Sequence, residues 1–435
     1  MTLDGEGLAG LGAAATRLVL AEDHTEAQMR ILLDPPVTTH RAGTPCGVCA
    51  NATDFEAALG ADHAVALATR PEHGVDGEDS APQPQQLQHV RRAGGLVGVG
   101  LCRQLSDPLI SVVLCTRNRA NLLLGALTSI AGQDLPQSEY EVVLVDNGST
   151  DQTAKVALDF QSRAPLQYVR ENRVGLSIAR NTGWQAANGA IVAYIDDDAT
   201  AKGGWLKTIR ETFATNQAGM VGLVGGPVEP IWQAPRPTWL SDEIARSLTI
   251  VDWGSSEKII PDIRKEWLAG ANMAMPKCVL EKVGGFHPSL DRIGTNLLSN
   301  GDILLQREIA RRGYRCLYTP AMAISHLVPS SRLSKDWFLR RFYWQGFSDA
   351  VMHIIEQSPS PYSRIGCAIR RAGRLVLTPR RIRALFSSGG NRSDFALKCF
   401  ALLDIGFVLG LLVHRRRNPA SVSSLRPPNS CHNRS

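Results

Sequence analysis

Three stretches decide how this chain folds: SVVLCTRNR (111–119), EVVLVDNGS (141–149) and AIVAYIDDD (190–198). Each begins as an apolar run of strand length rich in β-branched residues and ends abruptly in polar side chains. Runs of this kind, with no polar position alternating inside them, suit strands covered on both faces, as in parallel sheets. Working outward, residues 110–115, 141–145, 166–169 and 190–195 read as strands, and 121–132, 151–163 and 176–187 as helices between them. Ser149 and Thr150 are placed to cap the second helix. Strand and helix alternating at this spacing predict βαβ units with right-handed crossovers. The carboxyl ends of the strands then collect along one edge, where open α/β sheets bind ligands.

The residues at that edge are Thr116-Arg117-Asn118, Asp146-Asn147-Gly148-Ser149, Asn172-Arg173-Val174-Gly175 and Asp196-Asp197-Asp198. Hydroxyl, amide, guanidinium and carboxylate groups in four separate loops make a crevice able to grip a charged nucleotide and a metal. Three adjacent carboxylates repel one another unless a cation neutralises them, and Mg²⁺ or Mn²⁺ prefers oxygen ligands and bridges carboxylates to phosphates. Taken alone, the same triplet also reads as a solvated acidic turn before a helix. Further strands are expected at 221–224, 268–275 and 315–318, and a helix at 302–312.

From residue 337 the pattern is helical and basic. Ile365, Ala368, Ile369, Ala372, Leu375 and Val376 fall on one helical face, Arg370, Arg371 and Arg374 fall on the other, and Pro379 ends the run. Residues 395–413 are nearly all apolar but are interrupted by Lys398 and Asp404 and followed by three arginines. That composition favours an interfacial or re-entrant helix over a membrane span.

The 435 residues, 44% hydrophobic and 20% charged, suit a globular protein of one large or two ordinary domains. A net charge of +6 over this length does not suggest a nucleic-acid partner. The charge is unevenly placed. Residues 1–107 carry 7 basic and 14 acidic side chains, 108–330 carry 22 of each, and 331–417 carry 16 basic and 5 acidic. The expected organisation is a largely disordered leader over 1–107 (one short helix near 14–33), a folded domain over 108–330, a basic helical extension over 331–415 suited to a membrane surface, and a disordered tail over 416–435. Nine cysteines at scattered spacings favour a reducing compartment, and Cys46 and Cys49 form a lone C-x-x-C with no partner pair. The opening residues show no basic segment leading into an apolar one, so a cytoplasmic location is expected.

The motifs SVVLCTRNR, EVVLVDNGSTDQT and ENRVGLSIARNTGWQAANGAIVAYIDDDA resemble the nucleotide-binding half of family 2 glycosyltransferases. LAGANMAM, VGGFHPSL, NGDILLQREIARRGYR and YTPAMAISH resemble that family's acceptor half, in the same order. The resemblance implies a GT-A fold, a Rossmann-like, mostly parallel α/β sheet flanked by helices, here with a C-terminal helical extension. It also implies a nucleoside-diphosphate-sugar donor and a divalent Mg²⁺ or Mn²⁺ ion. Thr116, Arg117, Asn118 and Asp146 are then expected at the base and ribose, Arg173, Gly175 and Arg180 along the diphosphate, and Asp196 and Asp198 as the D-x-D, with His326 as a further metal contact. Asp302 matches the general base of the inverting members. The usual context there is Gly-Glu-Asp, whereas this chain has Asn300-Gly301-Asp302, so the pairing of two acids is open.

The function implied is transfer of one sugar, with inversion, to a hydroxyl of a glycan, lipid-linked saccharide or small molecule, in cell-surface polysaccharide or glycoconjugate biosynthesis. Q-x-x-R-W is not found, which favours single over processive transfer. A sugar-phosphate nucleotidyltransferase would carry a glycine-rich basic loop where CTRNRANLLLG stands. A purely membrane-binding protein would have no need of Asp196, Asp198 and Asp302.

Overall fold

A computed structural model describes residues 109–216, 219–387 and 392–414. The expectations for the leader, for Cys46 and Cys49 and for the tail lie outside the described residues.

The first half is a βαβ succession: β1 (Ile110–Thr116), α1 (Ala120–Ala131), β2 (Tyr140–Asp146), α2 (Thr153–Phe160), β3 (Leu166–Arg170), α3 (Leu176–Ala186) and β4 (Ile191–Asp196). Then come β5 (Ala199–Ala201), α4 (Trp205–Thr215), β6 (Val221–Gly225), β7 (Val228–Trp232), α5 (Asp242–Ala245), β8 (Lys258–Ile259), β9 (Asn272–Pro276), α6 (Lys277–Val283), α7 (Gly301–Arg311), β10 (Arg315–Tyr318) and β11 (Ile324–Val328). Four helices follow: α8 (Lys335–Gln357), α9 (Pro361–Val376), α10 (Pro379–Phe386) and α11 (Arg392–Val413).

The main sheet runs β3-β2-β1-β4-β9-β6-β10-β8. The first four strands are parallel, β9 is antiparallel to both of its neighbours, and β10 is parallel to β6. The apolar runs form strands because both faces are covered. Ile110, Val112 and Leu114 pack into one cluster with Ile191, Ala193 and Ile195, while Val113, Val192 and Tyr194 pack into the opposite one. Each such side chain contributes about 1.5–3 kcal/mol by leaving water. Gly183 lets α3 lie flush on the sheet, since a Cβ there would stand 2.3 Å from Val113 Cγ1. This close seating carries Arg180, one turn earlier on α3, toward the strands' carboxyl ends.

Two local expectations are corrected, and one sheet is added. The strand expected from residue 268 starts at Asn272, and 268–271 is a loop against α7. Ser149 does not cap α2: its hydroxyl accepts from Asn118 N, and Asp151 accepts from Thr153 N instead. A second, three-stranded sheet, β5-β11-β7, has no counterpart in the sequence reading.

The C-terminal helices pack on one another. Gly346 on α8 and Gly406 on α11 let the two backbones touch: a Cβ on either would fall 1.9 Å or 2.0 Å from a carbonyl of the other helix. Asp404, which interrupts the apolar run, is buried and receives Arg371 of α9 and Arg381 of α10. Ser393–Val413 is long and apolar enough to cross a membrane, with mean hydropathy 2.2 and 39% of its apolar window buried. On α9 Ala368 is buried and Arg371 turns inward, while Ile369 is 66% and Val376 64% exposed alongside Arg370 and Arg374.

Candidate active site

The carboxyl ends of β1, β2 and β4 open into a cleft of about 880 Å³, whose far wall is the 267–271 loop, the start of α7 and one face of α8.

The register of the small sheet builds its acidic end. β4 finishes at Asp196, and β5 begins immediately after Asp198. β11 pairs antiparallel with β5, setting His326 opposite Ala199, and Leu327 N donates to the Asp198 carbonyl at 2.9 Å. His326 Nε2 thereby lies 3.2 Å from Asp198 Oδ1. Ligand atoms of Asp196, Asp198 and His326 fall within 4.8 Å of one another. His326 Nδ1 is buried with no hydrogen-bond partner among the described residues. Two carboxylates and an imidazole around one point, one imidazole nitrogen unsatisfied, form a donor set that fits Mg²⁺ or Mn²⁺.

The middle aspartate belongs to a different structure. Asp197 accepts from Thr116 Oγ1 at 2.7 Å and from Arg119 at 2.8 Å. Burial, with Asp198 alongside, pushes its carboxyl up to about 6 against the pull of Arg119. Asp198 goes the other way: burial is outweighed by His326, Arg119 and Arg332, which hold it well below the usual carboxylate range.

At the opposite end stands Asp302, in the first turn of α7. Its oxygens accept from Gly270 N and Ile303 N, both at 2.9 Å. Burial, and then the neighbouring Asp291, raise its carboxyl above the ordinary value, with Arg180 partly opposing. Asp291 is held by Gly301 N at 2.8 Å, Ser177 Oγ at 2.9 Å and Arg180 Nη1 at 3.2 Å. Arg180 Nη2 reaches Asp196 at 3.4 Å, so one buried guanidinium joins the two ends of the cleft.

This geometry accounts for Asn-Gly-Asp in place of Gly-Glu-Asp. A Cβ at Gly301 would lie 2.1 Å from Asp291 Oδ2. Asp291, ten positions upstream and in the left-handed region at φ 64°, fills the space beside Asp302. A second acid stands by Asp302 after all, supplied from the preceding loop.

Of the other residues singled out in sequence, Thr116, Arg117 and Arg180 line the cleft. Asn118, Asp146, Arg173 and Gly175 stand behind that lining, in the loops that carry it. Asp146 spends both oxygens internally, on Ser149 N at 2.7 Å and on Tyr168 at 2.6 Å and Arg170 at 3.2 Å. Arg173 is paired with Glu171, whose carboxyl it holds down to about 2. Asn118 accepts from Thr150 N, and Gly175 N donates to Asn147 Oδ1. These residues shape the loops. Asn147, which lines the cleft, is the staple: its Nδ2 donates to the carbonyls of Glu171 and Arg173.

Sequence reading missed Arg119, Asp291, Arg292, Arg332 and Arg341, all of which line the cleft. The only signal for Arg119 was its place in the polar run after β1. The others come from loops and from α8, where no local pattern marks a site. Trp239 and Phe286 are packed against Phe338 and Tyr194, whereas Trp267 lines the cleft.

The profile of glycosyl transferase family 2 matches residues 111–256. These residues form a family 2 glycosyl transferase domain. The chain is a glycosyltransferase, and its mixed sheet flanked by helices is of GT-A type. A glucosyl-dolichyl phosphate glucuronosyltransferase of Haloferax volcanii is 29% identical over 251 residues, 57% of this chain and 78% of that protein. The glycosyltransferase AglE of the same organism is 27% identical over 294 residues, 64% of this chain and 90% of the relative. The solved mannosyltransferase of Pyrobaculum calidifontis with GDP-Man and Mn²⁺ superposes with a TM-score of 0.44 at 22% identity, covering 69% of this chain and 86% of that one.

Proposed function

We propose that the cleft transfers one glycosyl residue, with inversion, from a metal-bound nucleoside-diphosphate sugar to a hydroxyl of a saccharide carried on a lipid phosphate, at a membrane surface. The observation that carries this reading is the placing of Asp196, Asp198 and His326 at one end of the cleft and Asp302 at the other, joined through Arg180.

The nucleotide rests at the edge formed by Thr116, Arg117 and Asn147. Asp196, Asp198 and His326 hold the divalent cation, which, when bound, stabilises negative charge on the departing diphosphate. Arg180 adds fixed positive charge in the same place at no reorganisation cost. Asp302, deprotonated, takes the proton of the acceptor hydroxyl. As that oxygen forms its bond to the anomeric carbon, the bond to the diphosphate breaks on the opposite face. The electron pair leaves with the nucleotide, and the configuration inverts. The acceptor class draws on the lipid phosphate in the glucuronosyltransferase's name and on the basic, apolar-faced C-terminal helices.

Removing metal with EDTA is expected to abolish both transfer and nucleoside-diphosphate binding, with Mn²⁺ or Mg²⁺ restoring them. Asp198→Asn is expected to weaken metal-dependent binding at least about tenfold. Binding of UDP and GDP by calorimetry decides this, and indifference to chelation would sink the metal assignment.

A further inference from the structure

Nine arginines and seven carboxylates line the cleft, a positive excess that favours an anionic occupant. Most of these guanidiniums are already engaged. Arg119 is held by Asp197 and Asp198, Arg180 by Asp196 and Asp291, Arg264 by Asp262, and Arg307 by Glu356. Arg332 reaches Asp198, Arg117 donates to the Asn147 carbonyl, and Arg246 lies over the Trp253 ring. Arg292 and Arg341 line the cleft with neither a carboxylate within ion-pair distance nor an aromatic ring beneath them among the described residues.

Their elements hold them in place. The Arg292 carbonyl accepts from Leu176 N at 2.9 Å, fixing its loop to the start of α3. Arg341 on α8 reaches only the Ser299 hydroxyl, at 3.4 Å, while Asp349 farther along the helix is occupied by Asn300 and Gln345. Burial, and then other arginines of the cleft, lower both guanidiniums from their ordinary value, Arg341 to about 10, against the weaker pull of carboxylates beyond ion-pair distance. A half-buried cation without a directly paired carboxylate is costly, and a ligand that brings an anion relieves that cost. Two guanidinium forks from separate elements suit the tetrahedral oxygens of a phosphate. Both also sit near Asp302. Arg292 adjoins the Asp291 that binds Gly301, and Ser299, the partner of Arg341, lies three residues before the base.

We propose that Arg292 and Arg341 together form a receptor for a phosphate group of a substrate, on the wall of the cleft that leads to Asp302. This rests on the glycosyl-transfer reading above and deepens it. The phosphate comes from the lipid end of the acceptor or from the donor diphosphate.

The test measures binding, not turnover. Wild type, Arg292→Ala, Arg341→Ala and the milder Arg341→Gln are titrated with octyl phosphate, with octanol as control, and separately with UDP and GDP in the presence of Mn²⁺. Thermal midpoints check that each variant is folded. A loss of at least about tenfold in octyl phosphate binding, with nucleotide binding unchanged, assigns the site to the acceptor. The same loss in nucleotide binding assigns it to the donor. If the folded variants bind both probes as wild type does, the receptor is refuted while the transfer reading stands. If wild type binds neither nucleotide with Mn²⁺, both fall together.

Discussion

At the residue scale, the active site depends on charges held in unequal states. Asp198 is kept ionised by His326, Arg119 and Arg332, whereas Asp302 is raised by burial and by Asp291. A base works only when deprotonated, so transfer should rise with pH through the raised pKa of Asp302 and fall on acidification. Asp291→Asn removes the like charge and leaves Arg180 facing Asp302, so the acid limb of kcat/KM is expected to move to lower pH. A pH profile measured on both proteins checks this, and an unmoved limb would contradict the pairing of the two acids. The double change Asp291→Gly with Gly301→Glu, which returns the second acid to the position next to the base, should recover activity relative to Asp291→Gly alone. The sequence showed the departure at Gly301. It could not show the compensation, because the space a side chain at 301 would need is filled from a loop with no periodic pattern.

At the scale of elements, the glycine contact between α8 and α11 matters because α8 carries Arg341, Gln345 and Asp349 into the cleft wall. Gly406→Val would force the two backbones apart at a cost of about 1–3 kcal/mol or more. A lowered thermal midpoint together with weakened acceptor KM is the expected result. An unchanged midpoint would mean that the helices do not depend on this contact. The strands β1, β2 and β4 were legible because their apolar runs are covered on both faces, and α7 because its period is regular. The small sheet was not. β5 has only three residues, β7 is interrupted by Pro230, and what matters about β11 is its register against β5. Local sequence can mark His326 as following an apolar stretch, but only pairing across more than a hundred residues sets it beside Asp198. The amphipathic period of α9 was equally plain, yet its orientation was set by Asp404 drawing Arg371 and Arg381 inward.

At the scale of the whole molecule, that packing leaves Tyr362, Ile369, Val376, Leu377 and Phe386 exposed beside the exposed Arg370, Arg374, Arg380 and Arg383. Apolar side chains rimmed by arginines suit insertion into an anionic bilayer surface. The chain should float with vesicles containing phosphatidylglycerol and much less with neutral ones, and Ile369→Asp combined with Leu377→Asp should abolish flotation while transfer to a soluble acceptor persists. Equal flotation of the variant would contradict this orientation. The cleft itself joins two ends, Asp196, Asp198 and His326 at one and Asp302 at the other, and the central claim is that the first holds donor and metal, the second is the base, and both act in a single displacement. Asp302→Asn tests it most directly, with GDP and UDP binding measured in the presence of Mn²⁺ and transfer measured on the same preparation. Nucleotide binding equal to wild type with transfer reduced by about a hundredfold or more is the expected result. Transfer retained at the wild-type rate would contradict it.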